Sequence, residues 1–349
     1  MPESPQTVLS QAVFQKRLRE ALREDEFRLR FCDPLAPVPL NTELPAEDWS
    51  MLFTRRRILA LLRPGANAFL STKPDDTPFC STDMWSMMVR MYLGCYVYDD
   101  SSTPTWLRCG CCDELVLDKL GIHAITTCPT GWGRVARHDR QATIFLKWLA
   151  SPAGLAFQGK YGQGEAVGLL FGTLHRPADA LVFPPPAAPG EDPGLPTAID
   201  FLVTGPFSTT SRTGRTAARH AAASPSAITD AGEATKAGAY RRKVRNAWKL
   251  AFPSVPCPGS EPAAPLPPGG LEEVTGFRFR AAVFDTFGGC SDDTTELLMS
   301  YAKRVADRQG SSAKRVFDRV YGRLSYNIWS SNAQAVILRR PKSVWPNLS

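Results

Sequence analysis

The sequence predicts a mixed α/β protein, in which a small sheet is flanked by helices and preceded by a helical region and a cysteine-rich loop. Two observations indicate this class. Apolar residues recur at helical spacing towards both ends of the chain, whereas short apolar runs bounded by Gly and Pro fill residues 166–205. The predicted order is therefore helix, three strands, helix and strand, with the cysteine-rich loop in front and further helices behind.

Three helices are predicted before the cysteine-rich loop. Residues 7–31 carry apolar side chains near helical spacing with charges between them. A second helix spans residues 48–62, and Pro64 and Gly65 end it. A third helix begins after Ser81, a good N-cap, and runs to residue 94. We expect residues 1–104 to form a helical N-terminal region.

The sheet is predicted from short apolar runs that follow a helix over residues 137–149. Three strands are expected at residues 166–172, 178–183 and 198–205. A Pro-rich stretch at residues 184–196 separates the second strand from the third and is typical of a surface loop.

The C-terminal half continues with a basic helix and a fourth strand. The helix is predicted over residues 233–250 and the strand over residues 277–284, with a second Pro-rich insertion between them. Helices are expected at residues 292–308 and 316–338. We therefore predict a sheet-containing core over residues 141–300 and a basic helical C-terminal region over residues 301–349.

Positive charge is concentrated in two segments. The chain has a net charge of +7 and a pI near 9.0. Residues 207–250 hold nine Lys or Arg against two acids, and residues 303–342 hold ten against two, which leaves the rest of the chain at about −8. Two basic segments on an otherwise acidic chain are typical of a protein that binds DNA, and in some cases RNA. Ordinary solvated helix faces are the alternative interpretation.

The chain is expected to work in a reducing, intracellular compartment and without crossing a membrane. Nine cysteines form an odd number, and the N-terminus has no basic-then-apolar signal pattern. No apolar run reaches the roughly 18 residues that a membrane helix needs. The thiols are then free to bind metal.

Four residues with metal-binding side chains lie within twenty positions. Cys109 and Cys112 are separated by two residues, and His123 and Cys128 by four. Three thiolates and an imidazole at this spacing predict one tetrahedral, structural zinc ion in a motif over residues 105–140. Cys111 is a spare thiol, and its pairing with Cys109 or Cys112 is the alternative.

Three basic side chains follow the cysteine-rich motif at helical spacing. Arg134, Arg137 and His138 occupy positions i, i+3 and i+4, which lie on one face of a helix. They are placed either to contact phosphates or to support the fold.

Two carboxylates occur in apolar segments that are predicted to be strands. Asp179 and Asp200 would each be costly to bury unless something binds them. On neighbouring strands they can share Mg²⁺ or Mn²⁺, which activates water at a phosphodiester, and Glu165 would help to position the ion. The alternative is that Asp179 pairs with Arg176 and Asp200 caps a strand.

Taken in order, these residues resemble the C-terminal region of R2-type non-LTR retrotransposon proteins. That region contains a CCHC zinc motif followed by a restriction-like endonuclease of the PD-(D/E)xK type. Beyond the zinc ligands, the resemblance covers GRVARHD, RPAD, AIDFLVT, AYRRKV, FDTFGG and SSNAQAV within residues 60–340, and it includes no reverse transcriptase.

The resemblance implies a nuclear, metal-dependent endonuclease that nicks DNA by hydrolysing phosphodiester bonds. It implies a restriction-endonuclease-like core over residues 141–300, in which Asp179 and Asp200 hold the metal and Lys243 is the catalytic lysine. Arg176, Arg241 and Arg242 would contact nucleic acid. The alternative function is an inactive, zinc-stabilised nucleic-acid-binding module.

Overall fold

A computed structural model describes most of the chain between residues 57 and 339. The described residues are 57, 60, 61, 63, 65–72, 81–94, 97, 98, 108–112, 121–128, 132–159, 170–173, 178–185, 194–205, 226–258 and 270–339. The helix predicted at residues 7–31 and most of that at residues 48–62 lie outside them.

The predicted alternation of helices and strands is present in the described residues. In chain order the main elements are α1 (Thr82–Leu93), α2 (Trp132–Phe145), β1 (Phe157–Gly159), β2 (Ala180–Val182), β3 (Thr197–Thr204), α3 (Ala227–Ala251), α4 (Gly270–Thr275), β4 (Arg278–Asp285), α5 (Asp292–Gln309) and α6 (Ala313–Leu338). The chain is therefore a mixed α/β protein, as predicted.

Helix α1 begins and ends where its sequence predicts. The Ser81 side chain accepts a hydrogen bond from the Met84 N–H at 3.2 Å and caps the first turn. At the other end Gly94 adopts a left-handed conformation with φ of 74°, which a residue without Cβ reaches at no steric cost.

The described strands form one mixed sheet in the order β1-β2-β3-β4. Strands β1 and β2 are antiparallel, and so are β2 and β3. Strand β4 lies parallel to β3 over eight residue pairs. Parallel neighbours need a long crossover, and helix α3 lies in the segment that connects them.

Helices cover both faces of the sheet. On one face helix α3 packs Tyr240, Val244 and Ala247 against Leu181 and Ala198. On the other face, side chains of α2, α5 and α6 enclose the opposite sides of β2, β3 and β4. None of the described helices has both the length and the hydropathy needed to cross a membrane.

A second apolar cluster joins helix α1, the cysteine-rich motif and the C-terminal half of α6. Trp329 of α6 is fully buried and contacts Phe69 and Tyr92, at ring-centre distances of 4.9 and 5.7 Å. Cys109 and Cys128 belong to the same cluster. The cysteine-rich motif is therefore part of the core rather than an appended module.

The first predicted strand is wrong where the structure describes it. Residues 170–173, at the end of the run predicted over 166–172, form a turn in which Phe171 and Gly172 have φ of 54° and 71°. Such left-handed residues cannot continue a strand. The first described strand is instead β1, at residues 157–159, which the apolar pattern did not predict.

Two glycines of helix α3 provide a matched test of its packing. A Cβ on Gly232 would lie 2.7 Å from Val283 Cγ1, whereas a Cβ on Gly238 would meet nothing within 4 Å. We expect Gly232→Ala to reduce the free energy of unfolding by about 1 to 3 kcal/mol through overpacking. Gly238→Ala should raise it by roughly 1 kcal/mol through helix propensity. Urea unfolding measures both, and equal effects would contradict the close approach of α3.

Candidate functional site

The four predicted zinc ligands lie together. The Sγ atoms of Cys109, Cys112 and Cys128 and a ring nitrogen of His123 all lie within 4.8 Å of one another. Cys112 Sγ is 3.5 Å from His123 Nε2. Tetrahedral zinc with bonds of about 2.3 Å separates its sulfur ligands by about 3.8 Å. The donor set and its spacing therefore fit a metal ion such as zinc.

Two short turns position these ligands. Cys109 and Cys112 lie in the turn at residues 108–112, and His123 begins a π-helical turn that ends just before Cys128. The Gly110 N–H donates to the Arg339 carbonyl at 3.1 Å. This hydrogen bond joins the first turn to the end of helix α6.

Cys111 lies outside the cluster. Its side chain is exposed, and its thiol is 3.9 Å from the Leu338 carbonyl oxygen. The structure therefore brings together Cys109 and Cys112, rather than either pairing that uses Cys111.

The surroundings of Cys109 favour a bound cation. Burial raises the pKa of the Cys109 thiol to about 11, although the N–H groups of Cys111 and Cys112 donate to its sulfur. Thiolates are the form that binds zinc, and a divalent cation offsets the cost of their burial. Burial by itself therefore favours the neutral thiol, and a bound metal ion would be needed to hold Cys109 as a thiolate.

Asp179 and Asp200 are neighbours across strands β2 and β3. The register pairs Ala180 with Ile199, so Asp179, one residue earlier, stands opposite Asp200. The Phe201 N–H donates to Asp179 Oδ2 at 2.8 Å. The two carboxyl groups are close enough to shift each other's pKa. Since like charges at opposite positions repel, the pair needs a shared proton or a cation.

Each of these carboxyl groups has a basic partner. Lys236 Nζ of helix α3 lies 3.0 Å from Asp200 Oδ1. His138 Nε2 of helix α2 lies 3.0 Å from Asp179 Oδ2 and 3.1 Å from the Phe201 carbonyl oxygen. The Asp200 side chain is 5% exposed and that of Asp179 is 28% exposed. Asp200 is therefore buried, whereas Asp179 is partly exposed to solvent.

The two carboxyl groups are driven to different protonation states. Burial and the neighbouring Asp179 raise the pKa of Asp200 to about 6, and Lys236 opposes that rise. Burial also disfavours the ionised form of Asp179, but hydrogen bonds from His138 and Asp200 outweigh it and hold its pKa well below the ordinary value. The hydrogen bond to Asp179 raises the pKa of His138. Asp200 is therefore the carboxyl group that exchanges a proton nearest to neutral pH.

The lysine at this site is Lys236, not the residue that the resemblance implied. Lys243 lies seven residues later in helix α3, about 10 Å further along its axis. Lys236 lies on the buried stripe of the helix, four residues after Gly232 and four before Tyr240, and both are buried. In the sequence, Lys236 could have been recognised as a single cation at helical spacing from residues that are apolar or small.

Arg137 supports the fold rather than a phosphate. Its side chain is 3% exposed and donates to Asn332 Oδ1 of helix α6 and to the Ile125 carbonyl oxygen. A guanidinium enclosed by these partners does not reach nucleic acid at the surface. This structure favours the second alternative for Arg137, while His138 contacts the carboxylate pair.

The structure describes only some of the remaining residues that were predicted to contact nucleic acid or metal. Arg241 and Arg242 are exposed on helix α3. Glu165, Arg176 and the side chain of Arg134 lie outside the described residues.

A further buried carboxyl group, Asp285, organises the turn after β4. Its Oδ1 accepts hydrogen bonds from the N–H groups of Phe287 and Gly289, at 2.7 and 3.0 Å. No hydrogen-bond partner is found for its buried Oδ2 among the described residues. Burial raises the pKa of Asp285 to about 6.

Asp285→Asn should change how stability depends on pH. The folded state binds the proton of the Asp285 carboxyl group more tightly than the unfolded state. The resulting contribution to the free energy of unfolding is therefore fully present below about pH 4 and is lost as pH rises through about 6. The total loss is about 3 kcal/mol. The Asn variant keeps the Oδ1 acceptor and removes the charge. We therefore expect it to unfold at higher urea concentration than the wild type at about pH 8, with a smaller advantage or none at about pH 5. Asp285→Ala, which loses the acceptor, should be less stable than Asp285→Asn at both pH values. An Asn variant with the wild-type pH dependence would contradict the assignment.

Comparison with known proteins found no match. No family model, curated protein or solved structure matches this chain. The fold and the sites therefore define the class directly: a mixed α/β protein with a Cys₃His cluster that could hold a metal, and a buried carboxylate pair with lysine and histidine partners.

Proposed function

We propose that this chain is a metal-dependent endonuclease of the restriction-like type, which hydrolyses phosphodiester bonds to nick DNA. One observation carries the proposal: Asp179 and Asp200 meet on neighbouring strands, and Lys236 lies 3.0 Å from Asp200. Two carboxylates can hold a divalent ion that promotes hydrolysis of a phosphodiester, and a lysine beside them can stabilise the negative charge that develops. A mixed sheet flanked by helices on both faces supports the fold part of the proposal.

The residues present fit a hard divalent cation. Asp179 and Asp200 would hold Mg²⁺ or Mn²⁺, with the Phe201 carbonyl oxygen as a neighbouring oxygen donor. An ion bound there supplies Lewis-acid stabilisation of the phosphate and acidifies a water molecule.

The side chains of the site have distinct roles in the proposed reaction. Lys236 donates hydrogen bonds to the oxygen that gains negative charge, which a preformed cation does without reorganisation. Asp200, which Lys236 contacts at 3.0 Å, would hold the ion together with Asp179 and so place the attacking water. His138 holds Asp179 in place through the 3.0 Å contact.

The charge of helix α3 supports DNA as the substrate. Six Lys or Arg and no Asp or Glu occur between residues 234 and 260. Arg241, Arg242, Arg245 and Lys249 are exposed on the same helix that carries Lys236. Such a row of cations neutralises phosphates and releases their counterions. The resemblance to R2-type retrotransposon proteins extends the proposal to an element-derived, nuclear protein.

An inactive, zinc-stabilised nucleic-acid-binding module is the second candidate. The specific observation in its favour is that Lys236 and His138 already balance the charge of the two carboxyl groups without an ion. In such a module the four side chains would form a structural network only.

Nicking of supercoiled plasmid tests the proposal. The zinc-loaded protein with Mg²⁺ or Mn²⁺ should convert the plasmid to open circles, and Asp179→Asn and Asp200→Asn should each abolish the conversion. Binding of DNA should persist in both variants, because they remove no cation. Binding that falls steeply with salt, with no nicking by the wild type, would select the inactive module instead.

A further inference from the structure

The C-terminal end of helix α3 carries an exposed aromatic cluster. Trp248 contacts Phe252 at a ring-centre distance of 4.7 Å, and Phe171 contacts both at 5.2 and 5.9 Å. Phe252 remains 41% exposed, and beside it Leu250 and Val255 are 68% and 52% exposed. Apolar and aromatic surface is thus left open to solvent at one end of a basic helix.

The cluster is held in a fixed geometry. Trp248 Nε1 donates to the Val255 carbonyl oxygen at 3.0 Å, which orients the indole. Phe171 takes part from a left-handed backbone conformation, φ 54°, which costs a non-glycine residue free energy. A rigid set of rings loses little entropy when a planar partner stacks on it.

The charge around the cluster selects an anionic partner. Arg241, Arg245 and Lys249 recur every four residues, so they lie on one side of α3 at steps of about 6 Å. All three are exposed. The row runs along the exposed side of α3, opposite the stripe that carries Lys236, and reaches the aromatic cluster at the C-terminal end of the helix. A strand of nucleic acid that follows the row therefore presents phosphates to the cations and bases to the rings.

Resting on the proposed function, we infer that Phe252 and Trp248 form a stacking platform for unpaired bases, next to the cations that hold the strand. Rings beside a row of cations are the arrangement by which proteins bind single-stranded nucleic acid. Both faces of a paired base are stacked inside the duplex, so neither face is available to stack on Trp248 or Phe252. The platform thus adds preference for a substrate with unpaired nucleotides.

Binding of labelled oligonucleotides to the full chain tests the platform. Fluorescence anisotropy would compare oligo(dT) with a duplex of equal length, in buffer without Mg²⁺ or Mn²⁺ so that no cleavage occurs. We expect Phe252→Ala to weaken oligo(dT) binding about tenfold and to leave duplex binding unchanged. Phe252→Trp should restore oligo(dT) binding. Leu195→Ala is the matched control, since Leu195 is also 41% exposed and should change neither affinity.

The other outcomes would overturn the inference. Unchanged oligo(dT) affinity in Phe252→Ala, or an equal loss for duplex, would remove the preference for unpaired bases. Sedimentation with vesicles of phosphatidylserine and phosphatidylcholine that is lost in Phe252→Ala, without loss of oligo(dT) binding, would assign the cluster to a membrane surface. These binding assays do not depend on cleavage. A protein that fails to nick plasmid can therefore still be tested for its preference for unpaired bases.

Discussion

Lys236→Met is expected to lower the rate of plasmid nicking by about 10² to 10³-fold. Lys236 Nζ lies 3.0 Å from Asp200 Oδ1, and its side chain is 19% exposed. In the proposed reaction, Lys236 stabilises the negative charge that develops on the phosphate bound next to Asp179 and Asp200. Methionine keeps the length and helix propensity of lysine. Because it also removes the partner of the buried Asp200, the rate constants are compared at equal concentrations of folded protein.

Lys243→Met provides the matched control for this result. Lys243 is a partly exposed lysine of the same helix, about 10 Å from Lys236 along the axis. Its loss should weaken DNA binding slightly and reduce the number of counterions released on binding by about one, measured from the salt dependence of the DNA-binding constant. The single-turnover rate of nicking at saturating protein should not change. Single-turnover nicking with both variants measures the difference. A large rate loss in Lys243→Met with none in Lys236→Met would return the catalytic role to Lys243.

The metal prediction has the largest expected effect on stability. Cys109→Ser and His123→Ala should each lose the bound metal, about one zinc ion per chain, measured by elemental analysis of the purified protein. A structural zinc ion contributes on the order of 10 kcal/mol to folding near pH 7. Cys109 and Cys128 lie in the apolar cluster that includes Trp329, so loss of the ion should disorder that cluster. We expect the Tm to fall by about 10 °C or more.

Cys111→Ser separates this effect from a general loss of thiols. Cys111 is exposed and lies outside the cluster, so its variant should keep both the metal and the wild-type Tm. A chelator added to the wild type should reproduce the fall seen in Cys109→Ser. If the wild type carries no metal after purification and its Tm is insensitive to chelator, the cluster is not a structural metal site.

The Cys₃His cluster shows what sequence spacing predicts well. Its ligands span only twenty residues, from Cys109 to Cys128, and each of the pairs Cys109–Cys112 and His123–Cys128 lies in one short turn. Few conformations of such a segment satisfy all four side chains, so the donor set follows from the sequence. The exclusion of Cys111 did not follow, because its direction depends on contact between the turn and Leu338 of helix α6.

The carboxylate site shows where sequence reasoning stopped. The sequence indicated Asp179 and Asp200 because each is an acid in an apolar segment. Their meeting required the register that pairs Ala180 with Ile199, and side-chain direction reverses with a slip of one residue. The Pro-rich loop between the two strands carries no information about that register.

The sequence by itself determined the mixed α/β class, the presence of the long helices from residue 81 onwards and the metal-binding donor set, because each depends on periodicity or on spacing along a short segment. The bounds were less accurate, since α3 begins at Ala227 rather than residue 233 and α2 at Trp132 rather than residue 137. Only the tertiary structure decided that Lys236 meets Asp200, that Arg137 is enclosed by α6, and that residues 170–173 turn away from the sheet. Those outcomes depend on how helices dock on the sheet and on strand register. Both are set by packing between residues far apart in sequence, which local patterns do not encode.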